Sequence, residues 1–409
     1  MDSVNEPTPT PEIKPLKAKR SRRDFVKAAS TIAIGAGLIG SGAVLERTVE
    51  SIERRRAAKK LDIVIPRVSM DRYIRSTVGL RPHRDIGFKL EKEKLGNKVL
   101  VHNWGHGGSG WSLSWGTSEL AIRMAEEGGG SQDYAVLGSG IVGLTTARLL
   151  QRRGKTVTIY TKDLPPRVTS NYAAALWTPT ATLCDPAKIS PEFKQVFEKA
   201  ARISFRYWND FIGHHPTYGV HYVEGIQLVD LAHPPPPKPV PADFYGSVID
   251  DLHPKAIELT PDQHPFKGYS AHLTLAMRFE AHTFLFQTLN DFLNDGGKIV
   301  IQEIKRPEDI DALPQKAVIA CIGLGAKAVF NDAELNPIRG QLNMLAPQND
   351  LRYSVGIAGP GVSASPRWDG VAVGNSALYG IWDTEPDMKL AREMIGNAQT
   401  EFGKLAKFV

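Results

Sequence analysis

Around residue 140 the pattern of hydrophobic positions changes period twice. An apolar run at Tyr134–Leu137 has the length of a buried strand and leads into glycines at 138, 140 and 143. Apolar residues then recur at helical spacing to about Arg153, Gly154 stops them, and a β-branched stretch follows at Thr156–Tyr160. This order predicts a βαβ unit. The same signals return later: "FEAHTFLFQTLNDFLNDGG" predicts an amphipathic helix stopped by Gly296 and Gly297, Lys298–Ile304 a strand, and "KAVIACIGLGAKAVF" a buried strand entering a glycine-rich turn. Towards the end, "DGVAVGNSALYGIWDTEPDMKLAREMIGNAQTEFGKL" predicts a strand, a turn and a helix from about Glu385 to Lys404. Ahead of the unit, "GWSLSWGTSELAIRMA" predicts a helix opening at Gly110–Ser112. No internal repeat is present, and alternating strands and helices predict an α/β fold with a doubly wound sheet.

The glycines of "GSGIVG" (Gly138, Ser139, Gly140, Ile141, Val142, Gly143) have the spacing of a dinucleotide-binding turn. The first permits the tight turn, the second lets the backbone approach a diphosphate, and the third brings helix and strand together. Asp163 follows the second strand, after Lys162, where a ribose-binding carboxylate belongs.

The formal charge of +6 suggests a polyanion partner until it is located. Residues 1–60 hold 13 Lys and Arg against 7 Asp and Glu, whereas residues 61–409 hold 37 of each sign. The folded part lacks the basic footprint of a nucleic-acid binder. Residues 1–20 read as disordered, and "SRRDFVKAASTIAIGAGLIGSGAVL" resembles a twin-arginine export signal: Ser21, Arg22, Arg23, Phe25 and Lys27 form the signature, Ala28–Leu45 the apolar region, with Ser41 and Ala43 near a possible cut. Export of an already folded protein to the periplasm or beyond is the expectation, with a membrane anchor as the alternative. The two cysteines, Cys184 and Cys321, suggest no bridge, and "HPPPPKPVPADF" (residues 233–244) reads as an extended proline-rich loop. His102 and His106 are four apart, but the intervening glycine argues against a helical metal pair, and no metal site is expected.

"GSGIVG", "TSNYAAALWTP" (169–179), "ACIGLGA", "NPIRGQ" (336–341), "GLRPHRDIGFKLEKE" and "HNWGHGGSGWSLSWG" together resemble segments of D-amino-acid-oxidase-type flavoproteins, which include glycine oxidase. The last two stand ahead of the fingerprint, whereas the family carries them at its end. Circular permutation is the simplest account. The resemblance implies a Rossmann-like FAD-binding domain with a parallel sheet plus a mixed-sheet α+β substrate domain, in permuted order. The domains would be a leader at 1–60, FAD-binding segments at 61–180 and 276–345, and substrate segments at 181–275 and 346–409.

It further implies FAD contacts at Gly107, Gly108, Gly110, Trp111, Ser112, Thr169, Ser170, Ala175, Leu176, Ile304 and Gly323, besides the fingerprint and Asp163. Amides at the start of the Gly110 helix would meet the flavin edge on which charge develops. Arg81 matches the arginine that binds the substrate carboxylate, and the Gly108 carbonyl would accept from the amine. The implied reaction is oxidative deamination of a D-amino acid or related amine by hydride transfer to flavin N5, with oxygen as acceptor. A dehydrogenase passing electrons to a quinone or other acceptor and a non-catalytic cofactor-binding protein are the alternatives. Where the family has a lid with two tyrosines, this chain has "SASPRW", with Ser363 and Arg367 in their places. If Arg367 faces the pocket, it would suit a substrate with a second carboxylate; the alternative is a solvent-facing loop arginine.

Overall fold

The computed structural model describes residues 61, 63–235 and 246–409. The leader signature and most of the proline-rich stretch lie outside the described residues. The chain runs through β1 (Tyr73–Arg84), β2 (Lys89–Leu95), β3 (Lys98–Trp104), α1 (Gly110–Glu126), β4 (Asp133–Leu137), α2 (Ile141–Arg152) and β5 (Thr156–Thr161). Next come α3 (Pro191–His214), β6 (Val220–Asp230), β7 (Ile257–Leu259), β8 (Tyr269–Phe279), α4 (Ala281–Asn294), β9 (Lys298–Ile301) and β10 (Ala317–Ala320). The chain closes with β11 (Leu335–Leu345), β12 (Ser354–Ala358), β13 (Val362–Arg367), β14 (Gly370–Val373), β15 (Leu378–Tyr379) and α5 (Met388–Leu405).

A six-stranded sheet has the order β2-β3-β10-β4-β5-β9, with every pair parallel except β2 with β3. Its central strands β4 and β10 are almost wholly apolar and covered on both faces, as parallel strands flanked by helices must be. Val101, Val136, Ile159 and Ile319 pack with α1, α2 and α4 in one cluster, which continues into the rings of Trp111, Trp208, Phe279 and Phe284. β3 and α1 precede the fingerprint in sequence, yet β3 lies beside β10 and β10 beside β4.

A nine-stranded sheet forms the second layer, in the order β1-β11-β14-β13-β12-β6-β8-β7 with β15 also on β11. The division by residues put β1 in the FAD-binding segment 61–180 and β11 in the segment 276–345. Their eleven-pair antiparallel register instead makes both members of this larger sheet. Its far face is closed by α5, whose Ile395, Ala398, Phe402 and Leu405 pack with Leu61, Ile63 and Val355. Asp387 caps α5 by accepting from the N–H groups of Lys389 and Leu390, so the helix begins at Met388, later than the pattern predicted. The strand expected at Lys298–Ile304 ends at Ile301.

Candidate active site

The carboxyl ends of β3, β4 and β10 open on one cavity of about 1130 Å³, which reaches across to β1 and β11 of the larger sheet. The fingerprint is built as its spacing requires. Gly138 has φ 95° and abuts the Cys321 carbonyl, and a Cβ at Gly143 would stand 2.0 Å from the Gly138 oxygen. Gly140, by contrast, faces only Ser170 Oγ at 3.3 Å from a would-be Cβ, which leaves its side of the turn open to a ligand. Ser170 accepts from the Ile141 N–H at 3.0 Å, and its carbonyl accepts from the Trp111 indole at 3.0 Å. That serine therefore ties the start of α2 to the start of α1.

Gly138, Ser139, Gly140, Ile141, Val142, Asp163, Thr169, Ser170, Ala175, Leu176, Ile304, Gly323, Gly108, Gly110, Trp111 and Arg81 all line the cavity. Three others stand behind it. Gly143 packs on Gly138, Gly107 on the Thr182 backbone, and Ser112 Oγ accepts from the Thr178 N–H at 2.9 Å. Asp163 is held through its backbone, whose carbonyl accepts from Ser139 and Thr161.

Arg367 does not line the cavity. Its side chain is 3 % exposed, and its guanidinium is paired with Asp369 at 2.9 Å and donates to the Ala173 carbonyl at 3.0 Å. An acid two residues along the β13–β14 turn has captured it, so its charge is not free to hold a second substrate carboxylate. Ser363 is exposed on β13.

Arg81, on β1, is different. It donates to the Ser376 carbonyl at 3.1 Å and to Asn375 Oδ1 at 2.7 Å, and no carboxylate pairs with it among the described residues. Burial pushes its pKa down, with a smaller opposing effect of Tyr379. Two glycines make its space: a Cβ at Gly108, where φ is 115°, would stand 2.9 Å from Arg81 Cδ, and one at Gly340 would stand 2.6 Å from its guanidinium. Leu342, Ala377, Trp382 and Pro386 complete this end of the cavity. Of Gly340, Asn375, Ser376 and Trp382, the sequence motifs mark only Gly340, through "NPIRGQ".

Two observations test whether FAD fits. Asn103 is fully buried, lines the cavity and has neither amide atom partnered, as expected of a group awaiting a polar ligand. The N–H groups of residues 173–176, all on the cavity wall, donate to no protein acceptor among the described residues. A diphosphate turn at one end and unpaired donors at the other suit a long dinucleotide with a polar ring edge, so the residues fit the cofactor.

His106 is enclosed, with Nε2 3.1 Å from Thr117 Oγ1, and burial pushes its pKa down to about 3. His102 is likewise held down at about 3, chiefly by burial, so its 3.2 Å approach to Glu93 is not the ion pair of a protonated ring. Unfolded, both rings would bind protons near the usual 6.5. The unfolded chain therefore takes up protons that the native one refuses, and stability is present above about pH 6.5 and lost as pH falls from there towards 3. Denaturant midpoints should drop between pH 7 and 5, and His106→Gln should flatten that slope. An unchanged slope would show that these rings do not titrate as buried groups.

A family model described as "FAD dependent oxidoreductase" (DAO) matches residues 133–409. The chain is 27% identical to a D-amino-acid oxidase of Dictyostelium discoideum, over 64% of this chain and 70% of that one. It is also 27% identical to a human D-aspartate oxidase, over 64% and 73%. Among solved structures, glycine oxidase from Bacillus cereus superposes with a TM-score of 0.45 at 13% identity, covering 66% of this chain and 78% of that one. With a fingerprint, a cavity shaped for a dinucleotide and a family match over most of its length, the chain belongs to the DAO family of FAD-dependent oxidoreductases.

Proposed function

We propose that this flavoenzyme oxidises the Cα–H of a D-amino acid, with oxygen as acceptor. The observation that carries the reading is the uncompensated guanidinium of Arg81 on the cavity wall. A half-buried cation with no carboxylate partner among the described residues is only partly solvated, and a substrate carboxylate would supply the missing charge in the bidentate geometry that Arg favours. Asn375 and Ser376 fix the fork from behind. The Gly108 backbone beside Arg81 is where an amine can be held, its carbonyl accepting, so that carboxylate and amine pin two substituents of Cα and aim the third. When bound, FAD supplies the hydride acceptor. No side chain need act as a base if the amine arrives neutral. The proposed product is an imine, which water hydrolyses to the oxo acid and ammonia.

Anaerobic mixing of the yellow holoprotein with a panel of D- and L-amino acids tests the reading. Bleaching by at least one D-amino acid, with peroxide formed stoichiometrically when air is readmitted, is the expected result. Bleaching without peroxide, but with rapid reoxidation by a quinone, would replace the oxidase reading with a dehydrogenase. No bleaching by any amine would leave a cofactor-holding protein.

We also propose that the chain order is a circular permutation of the family's. The reading is supported by the motif-bearing segments at 79–93 and 102–116, which precede the matched residues 133–409. It is also supported by the apolar cluster that Leu61 and Ile63 share with Phe402 and Leu405 of α5. The connection from α1 to β4 carries Gly128, Gly129 and Gly130, all with positive φ. Moving residues 61–129 to follow Val409 should therefore give a folded chain that still binds FAD; a gene product of that order that fails to fold, while the parent folds, would contradict the proposal.

A further inference from the structure

The loop between the 169–172 turn and Trp177 presents a wall of unpaired amides to the cavity, and two of its carbonyls are held from the other side. The Ala175 carbonyl accepts from the Phe279 N–H at 2.9 Å. The Ala173 carbonyl accepts from Arg367 Nη1 at 3.0 Å. In a trans peptide unit the N–H points opposite to the C=O. Anchoring these two oxygens towards the larger sheet therefore turns the N–H groups of Ala174 and Leu176 the other way, and both residues line the cavity. The left-handed backbone of Ala175, φ 54°, is held between the two anchors.

Arg367 is itself fixed. Its Nε and Nη2 lie 2.9 and 3.4 Å from the carboxylate of Asp369, which also pairs with Arg75 at 2.9 Å. His282 stands 3.9 Å from the same carboxylate and 3.2 Å from the Asn171 amide, so the cluster also reaches the 169–172 turn that leads into the loop. A cation bonded to a peptide oxygen polarises that peptide and strengthens its N–H as a donor.

We infer that Arg367 is a positioning residue for the flavin: held by Asp369, it orients the 173–174 peptide so that the Ala174 N–H donates to the polar edge of the bound isoalloxazine. The guanidinium never touches substrate; it acts through one peptide. The role rests on FAD occupying this cavity and not on the identity of the amine substrate. Negative charge grows on the ring when it is reduced, so a polarised donor at its edge stabilises the reduced form more than the oxidised one.

The test is the midpoint potential of the holoprotein, measured with a chemical reductant, alongside FAD affinity. Arg367→Met is expected to lower the potential, to change the shape of the visible flavin band and to weaken FAD binding about tenfold, the scale of one charge-assisted hydrogen bond. Arg367→Lys, which can reach Asp369 or the carbonyl but not both, should fall between it and the wild type. A merely structural role would lower the melting temperature and leave potential and spectrum unmoved. A folded Arg367→Met protein with wild-type potential and affinity overturns the inference; if that variant does not fold, a wild-type potential and affinity in Arg367→Lys overturns it. Because the reductant is chemical, failure of every amino acid to bleach the flavin would sink the proposed activity without touching this result.

Discussion

Gly143→Ala is expected to abolish FAD retention, yielding a colourless protein even in excess cofactor. A methyl at this position would stand 2.0 Å from the Gly138 carbonyl oxygen and 2.8 Å from its carbon, with the Cys321 side chain 3.6 Å away on the same side. Neither partner is the movable end of a side chain, so relief can come only from lifting α2 off β4. That movement would carry off the amides at the start of α2 that the diphosphate needs, and would part the Ile141 N–H from Ser170 Oγ. Because α2 is buried from Leu144 to Leu150, the fold should suffer as well, by roughly 1–3 kcal/mol, in the range of overpacked cores. Gly154→Ala is the control: it has no neighbour within 4 Å and a positive φ, so it should cost stability through its backbone alone while the protein stays yellow. Equal FAD content in the Gly143→Ala and wild-type proteins would show that the turn does not hold the diphosphate.

The second large effect is at Arg81. Arg81→Leu should bind FAD normally and lose turnover, with kcat/KM lower by roughly a hundredfold or more, the cost of two charge-assisted bonds to a carboxylate. The loss should be carried by affinity as well as by rate, because an unheld carboxylate lets Cα wander from the flavin. Arg81→Lys should restore only part of it, since an ammonium offers no planar fork. Among the described residues the Arg81 side chain bonds only to Asn375 and Ser376 and its removal breaks no ion pair, so stability should hold or rise. Wild-type turnover and affinity in Arg81→Leu would move the substrate site elsewhere.

The fingerprint was legible because each of its glycines answers a steric demand within a few residues: Gly138 and Gly143 are required by the backbone they touch. Arg81 and the glycine turn ahead of it were legible through the family's motifs. The larger sheet was not. β1 and β6 alternate poorly between buried and half-buried positions, β1 because Ser76–Pro82 line the cavity, so neither shows the clean period of a half-solvated strand. Arg367 was misplaced for a different reason. Position within a motif marks it as a pocket residue, but the pairing that decides its direction, with Asp369 and the Ala173 carbonyl, is local in one case and 194 residues away in the other. Gly340 gave no signal of its own, since what it contributes is the absence of a side chain beneath a guanidinium whose strand lies far off in sequence.

The most direct measurement is a crystal structure of the chain bound to FAD and a non-oxidisable carboxylate. It should show the diphosphate on the amides at residue 140, the ring edge against residues 108–110 and 174–176, and the carboxylate bridged by Arg81. A flavin ring lying away from β1, or a carboxylate bound without Arg81, would contradict the account.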